Sequence, residues 1–225
     1  MTYRIVPAVA MLVCGLSGCA PTMMSLNPSS SPNQKIVYED GLPIVMSVKS
    51  SAVALYPATR TFAAKSGPRV AVKVTNGTKQ PVEFSTDNIT ASAGKAPVRV
   101  KSYEELVAEQ EAQKRSANNA AMMAAIMGGM GQMVGQRTND LAFSQSQLQA
   151  SQTIASSTQQ QLDMADSTIS ELTKSMLKRQ TVMPGATYGG YVQLDKVDGF
   201  ANEPLAITVD FGGEVHQFSY ALKEQ

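Results

Sequence analysis

The chain has 225 residues, 19 basic and 18 acidic side chains, a formal charge of +1 and a single histidine. That near-neutral balance offers no excess of cations for a phosphate backbone, which argues against a nucleic-acid binder of the basic kind. With a single His and only two Cys, a zinc site built from several His and Cys ligands lacks its raw material.

The first residues place Arg4 before an apolar stretch from Ile5 to Val13, followed by the small residues Gly15, Ser17 and Gly18. Charge, apolar run and small residues in that order make a secretory signal, and the run is too short for a permanent membrane span. Leu16-Ser17-Gly18-Cys19 resembles the lipobox of bacterial lipoproteins. The resemblance implies cleavage of residues 1–18 between Gly18 and Cys19 and lipidation of Cys19. Bulky Val13 before Cys14 disfavours the competing cysteine. Ala20, rather than an Asp, follows Cys19, which by the same resemblance implies sorting to the outer membrane, facing the periplasm. Two or three acyl chains, at about 0.8 kcal/mol per buried methylene, make an effectively permanent anchor. Cleavage removes Arg4 and Cys14, leaving 18 basic and 18 acidic side chains and no free thiol beside the lipidated one.

Residues 19–35, rich in Ser, Pro and Asn, are expected to form the lipidated N-terminus and a flexible linker. Period-two alternation follows. Ile44, Met46 and Val48 alternate with Val45, Ser47 and Lys49, and Val70, Val72 and Val74 alternate with Ala71, Lys73 and Thr75. Val82/Phe84 and Val98/Val100 continue it, with Asn76-Gly77 and Ala93-Gly94 as turn signals, so an antiparallel sheet is expected.

The period then changes. Ser102-Tyr103-Glu104-Glu105 fits a capping box, and a second helix is expected from Thr138–Asp140 to about Arg179, broken by Pro184-Gly185. Leu141, Leu148, Ala155, Leu162, Ile169 and Met176 recur every seven residues, and three residues after each stands a mostly small one. That seam suits close packing on one partner helix, for which Ala117, Ala120, Ala121 and Ala124 offer a small-residue stripe. Residues 102–180 are therefore expected to form an antiparallel helical hairpin with Gly128–Gly135 at or near its tip. The Ser/Gln-rich run 144–161 has weak helix propensity, which leaves room for local fraying there.

Strands return with Leu205, Ile207, Val209 and Phe211, then Phe218, Tyr220 and Leu222 after the turn Gly212-Gly213. Segments 36–101 and 181–225 together have the size of one β-sandwich domain. The fold class expected is α+β: an antiparallel, immunoglobulin-like β-sandwich interrupted by a long α-helical hairpin insertion.

No nucleophile elbow, phosphate loop or metal-ligand cluster appears, and no enzyme activity or cofactor is expected. His216 shares a strand face with Phe218 and Tyr220 and reads as a core-edge residue. The unusual feature is Ser116–Gln136, 21 residues without a charge. Its Met122, Met123, Met127, Gly128, Gly131, Met133 and Gly135 are the candidate interaction tip. Three readings stand for it: a packed or disordered end of the hairpin whose glycines enable the reversal, a self-association surface with adaptable methionines, or shallow insertion into, or transient crossing of, a bilayer. The function expected is an envelope interaction or assembly module, with self-association or an envelope protein as partner through the hairpin. The alternative is a ligand- or polymer-binding lipoprotein that uses the sandwich, with the hairpin as spacer.

Overall fold

The computed structural model describes residues 22–29, 31, 34–138, 141–197 and 199–225, without the side chains of 127–148 and 151. Gly18 and Cys19 lie outside this set. The chain is α+β, with antiparallel sheets and two helices. Before the helices come β1 (Met23–Pro28), β2 (Gln34–Glu39), β3 (Leu42–Val48), β4 (Ala52–Pro57) and β5 (Thr61–Ala63). They are followed by β6 (Arg69–Thr75), β7 (Val82–Phe84), β8 (Ile89–Ala93), β9 (Ala96–Val98) and β10 (Val100–Lys101). The helices α1 (Tyr103–Thr138) and α2 (Leu141–Ser175) intervene before β11 (Gln180–Val182), β12 (Thr187–Leu194), β13 (Pro204–Phe211) and β14 (Glu214–Glu224).

Two six-stranded sheets run β5-β1-β14-β13-β8-β9 and β10-β12-β6-β4-β3-β2, and β11 pairs with β7 in a small third sheet. The two large sheets share one core, as the layers of a β-sandwich do. Leu205, Ile207, Val209, Phe211, Phe218, Tyr220 and Leu222 from one sheet and Leu55, Val70, Val72, Val74, Val192 and Leu194 from the other belong to a single buried cluster. Phe84 and Phe211 meet edge to face with centroids 5.4 Å apart. The buried Tyr220 hydroxyl donates to the Leu55 carbonyl at 3.0 Å, crossing from one sheet to the other. Burial holds its pKa well above the usual tyrosine value.

The alternation expected for β6, β13 and β14 matches the buried sets. In β3 the phase is the other one: Pro43, Val45 and Ser47 face in, while Ile44 and Met46 are half-exposed and Val48 is exposed. The outer face of this sheet is itself apolar, so hydrophobicity alone did not mark the inner side.

Two expectations are corrected. Residues 23–28 are not linker: β1 lies between β14 and β5, with Met24 and Leu26 in the core. Alternating apolar side chains outweigh the Ser, Asn and Pro around them once two neighbouring strands supply backbone partners. The second correction concerns the end of α2, which stops at Ser175 rather than near Arg179. There the chain turns onto β12, Met176 bridging to Tyr191 and the Leu177 amide donating to the Tyr191 carbonyl at 2.8 Å. Leu177 enters the main core, and that burial ends the helix before Pro184 is reached.

Hairpin turns follow their chemistry. Gly212-Gly213 closes β13–β14 with φ of 64° and 79°, as a two-residue turn of type I′ requires. Asp40-Gly41 does the same for β2–β3 with φ of 49° and 73°. An Asp-Gly pair between two alternating runs is itself a hairpin signal legible in the sequence.

Candidate functional site

The helical arm is built outward from a capped, cross-tied base. The Ser102 hydroxyl accepts from the Glu105 amide at 3.1 Å and the Glu105 carboxylate accepts from the Ser102 amide at 3.0 Å, so the capping box forms. Leu106, Leu172 and Met176 make a small second core, flanked by Tyr103 and Tyr191. The Lys178 ammonium lies 4.7 Å from the centre of the Tyr103 ring. Arg69–Glu171 at 3.3 Å, Arg99–Glu105 at 3.3 Å and Lys101–Glu109 at 2.8 Å join base and sheets. Arg179 then binds Glu83 and Asp87 where the chain re-enters the strands. These exposed pairs are each worth little; together they set the direction in which the arm leaves.

Beyond the base the helices pack on each other. At 1.5 Å per residue each is about 50 Å long. On α1 the half-buried line runs Gln110, Lys114, Ala117, Ala121 and Ala124; Ala120 of the expected stripe is exposed. On α2 the buried residues are Thr158, Ala165 and Leu172. Those are the mostly small positions three residues after the apolar heptad members, while Leu162 and Ile169 flank them half-buried and Ala155 is exposed. Small side chains on both helices let the axes approach closely. Lys114 and Asp166 meet across the pair at 2.5 Å.

The Ser/Thr-rich helix is continuous from Leu141 to Ser175. Its hydroxyls at Thr153, Ser156, Ser157, Thr158, Ser167, Thr168, Thr173 and Ser175 donate to carbonyls three or four residues back. In this way they are satisfied inside the helix rather than competing with it.

The reading in which glycines make the reversal is corrected as well. Helix α1 continues through Thr138, so Met127, Gly128, Gly131, Met133 and Gly135 all sit on helical backbone. Gly128, Gly131 and Gly135 extend the 4-3-4 spacing of Ala117, Ala121 and Ala124, the spacing of a helix–helix seam. The side chains of Met127 and Met133 fall outside the described residues. Met122, Met123 and Ile126 lie across the helix from the seam and are 64%, 59% and 50% exposed. Among the described residues no helix is long and apolar enough to cross a membrane.

His216 lies where strand alternation put it, fully buried beside Phe218 and Tyr220. Its Nδ1 is 3.0 Å from the Ser47 hydroxyl, and its Nε2 has no hydrogen-bond partner, with the Glu214 carboxylate 3.9 Å away. Glu214 is already engaged: it accepts from the amides of Ser51 at 2.9 Å and Ser50 at 3.1 Å, and these bonds lower its pKa. Burial, then the charge of Lys49, push the His216 pKa below its ordinary value, against the pull of Glu214 and Asp210. Among the described residues no three His, Cys, Asp or Glu side chains gather as a metal site would need.

A pH dependence follows. The folded His216 resists a proton that the unfolded chain accepts near pH 6.5. Stability is therefore full above about pH 6.5 and declines as pH falls from there toward the lower folded pKa, by up to about 1.4 kcal/mol per pH unit. His216→Asn, which keeps a partner for Ser47, is expected to flatten the thermal midpoint between pH 6.5 and 5. Parallel slopes in the two proteins would contradict this.

The outer face of the second large sheet carries an open basin of about 530 Å3 over Ile44, Met46, Ala54, Tyr56 and Lys73. Burial, then Tyr191 and Glu39, raise the Tyr56 pKa. The basin lies outside the sheets, whose facing sides are occupied by the core. No family model, curated protein or solved structure matches this chain.

Proposed function

We propose that this chain is a lipid-anchored, non-enzymatic assembly module of the cell envelope, held at the outer membrane through Cys19 and facing the periplasm. In this reading an immunoglobulin-like platform carries the helical arm to an apolar, uncharged surface of a partner protein. The observation that carries it is the distal half of the arm. Apart from Arg137 and Asp140, residues 116–162 contain no Asp, Glu, Lys or Arg, and Met122, Met123 and Ile126 present their side chains away from the helix pair. Exposed apolar surface on a projecting arm is costly unless something covers it, and methionine adapts to an irregular partner. The near-absence of charge fits an equally uncharged counterpart. The lipobox resemblance supplies the anchor, and the only histidine is held in the core.

Two variants test the proposal in solubilised membranes. Met122→Lys with Ile126→Lys is expected to reduce the native assembly to the size of the purified chain. Two side chains each contributing about 1.5–3 kcal/mol of burial correspond to at least about a hundredfold in affinity. Cys19→Ser is expected to abolish lipid labelling and release the chain from membranes. An unchanged assembly with the double lysine variant would sink the arm, and continued lipid labelling would sink the anchor.

A further inference from the structure

We infer that β2 is a self-pairing edge, through which two copies of this chain join their second large sheets into one. The inference is independent of the arm. Among the described residues three of the four ends of the large sheets are short strands: β5 and β9 with three residues each and β10 with two. Short edges resist strand addition. The fourth, β2, has six residues and no proline, and among the described residues no further strand pairs with its outer side.

The hydrogen-bond pattern fixes which groups it offers. Glu39 and Leu42 close the two-residue Asp40-Gly41 turn, so that pair is hydrogen-bonded, and so are Val37↔Ile44 and Lys35↔Met46 two and four residues on. Tyr38↔Pro43 falls on a non-bonded position, as the missing proline N–H demands. The backbone N–H and C=O groups of Ile36 and Tyr38 consequently point away from β3. Gln34 also points outward, but its amide donates to the Ser31 carbonyl at 3.0 Å. Among the described residues, that leaves Ile36 and Tyr38 with neither backbone group in a hydrogen bond.

An antiparallel copy satisfies both when a two-fold axis passes by Val37. Ile36 then exchanges two N–H···O bonds with the partner's Tyr38, and Tyr38 does the same with the partner's Ile36. This register sets Lys35 opposite the partner's Glu39, and Glu39 opposite the partner's Lys35. Both stand on non-bonded pairs, where side chains approach most closely. Within the chain, among the described residues, neither Lys35 nor Glu39 forms an ion pair, and both are exposed. A lone edge lysine usually guards against pairing; a glutamate four residues on makes the strand its own complement. Val37 and Tyr38, 38% and 69% exposed, supply apolar contact beside the axis. Such an interface is isologous, so each substitution acts at two symmetric places.

Sedimentation of the full chain in detergent tests this. The native chain is expected to be a dimer. Lys35→Glu and Glu39→Lys are each expected to weaken it at least about tenfold, and the double swap to restore it to within about threefold. Tyr38→Pro, which removes an outward amide and leaves the β2–β3 bonds intact, is expected to give monomers with unchanged circular dichroism. Met122→Lys with Ile126→Lys is expected to leave the dimer in place. The inference is overturned if the native chain is monomeric, if single reversals leave the dimer unchanged, if the double swap fails to rescue it, or if the arm variant abolishes it.

Discussion

Asn76→Ala is expected to lower the unfolding free energy by about 2–4 kcal/mol, the cost of losing four hydrogen bonds made by one fully buried side chain. Asn76 is fully buried, and its side chain is used on both sides. Its amide donates to the carbonyls of Gln80 at 2.8 Å and Val182 at 2.9 Å, and its oxygen accepts from the Thr78 amide at 2.9 Å and the Thr78 hydroxyl at 2.7 Å. The main chain joins in, the Asn76 amide donating to Ala186 at 3.0 Å and its carbonyl accepting from Gly185 at 2.7 Å. One residue thereby ties the loop after β6 to β11 and to the turn before β12. Asp at the same position accepts from Thr78 but cannot donate to the two carbonyls, so Asn76→Asp is expected to be no better. Urea denaturation measures both. A loss below about 1 kcal/mol for the alanine variant would mean that water replaces these bonds.

Gly190→Ala carries the second large effect, also expected at about 2–4 kcal/mol. A Cβ at Gly190 would lie 2.7 Å from the Leu177 nitrogen, 2.8 Å from its Cα and 3.0 Å from the Met176 carbonyl carbon. These are backbone atoms, with no flexible tip to move aside. The segment leaving α2 would have to part from β12, breaking the bond from the Leu177 amide to Tyr191 and withdrawing Leu177 from the core. Hydrogen exchange is expected to quicken first at Leu172–Lys178, before the central strands. Gly213→Ala meets nothing within 4 Å but has a φ of 79°, so its cost is only about 1 kcal/mol. Equal losses at the two glycines would refute the close-approach explanation.

Legibility tracked how local each cause was. The capping box at Ser102 and Glu105 needs four consecutive residues, and it was readable as such. So were β13 and β14, where one face is apolar and the other polar. Strand β3 misled because both of its faces are apolar, and only the opposite sheet decides that Val45 is inside and Ile44 outside. Strand β1 was hidden by the Ser, Asn and Pro around Met24 and Leu26, and its pairing with β14 spans nearly the whole chain. The end of α2 is set by Leu177 reaching the core, a tertiary cause with no local mark. In the candidate site, the uncharged run 116–136 was visible at once. Which of its faces meets the partner helix, as Ala117, Ala121 and Ala124 do, depends on where that helix lies. The β2 edge had a signal in Asp40-Gly41, but its freedom from neighbours is a property of the assembled sheet.

The most direct test of the arm as the working part is photo-cross-linking in intact cells, with the probe residue at position 126 and, as control, at Ala112 on the exposed charged half. The account predicts a discrete protein adduct at 126, none at 112, and loss of the 126 adduct when Met122→Lys is added. Equal adducts at the two positions, or adducts at 126 consisting of phospholipid alone, would contradict it.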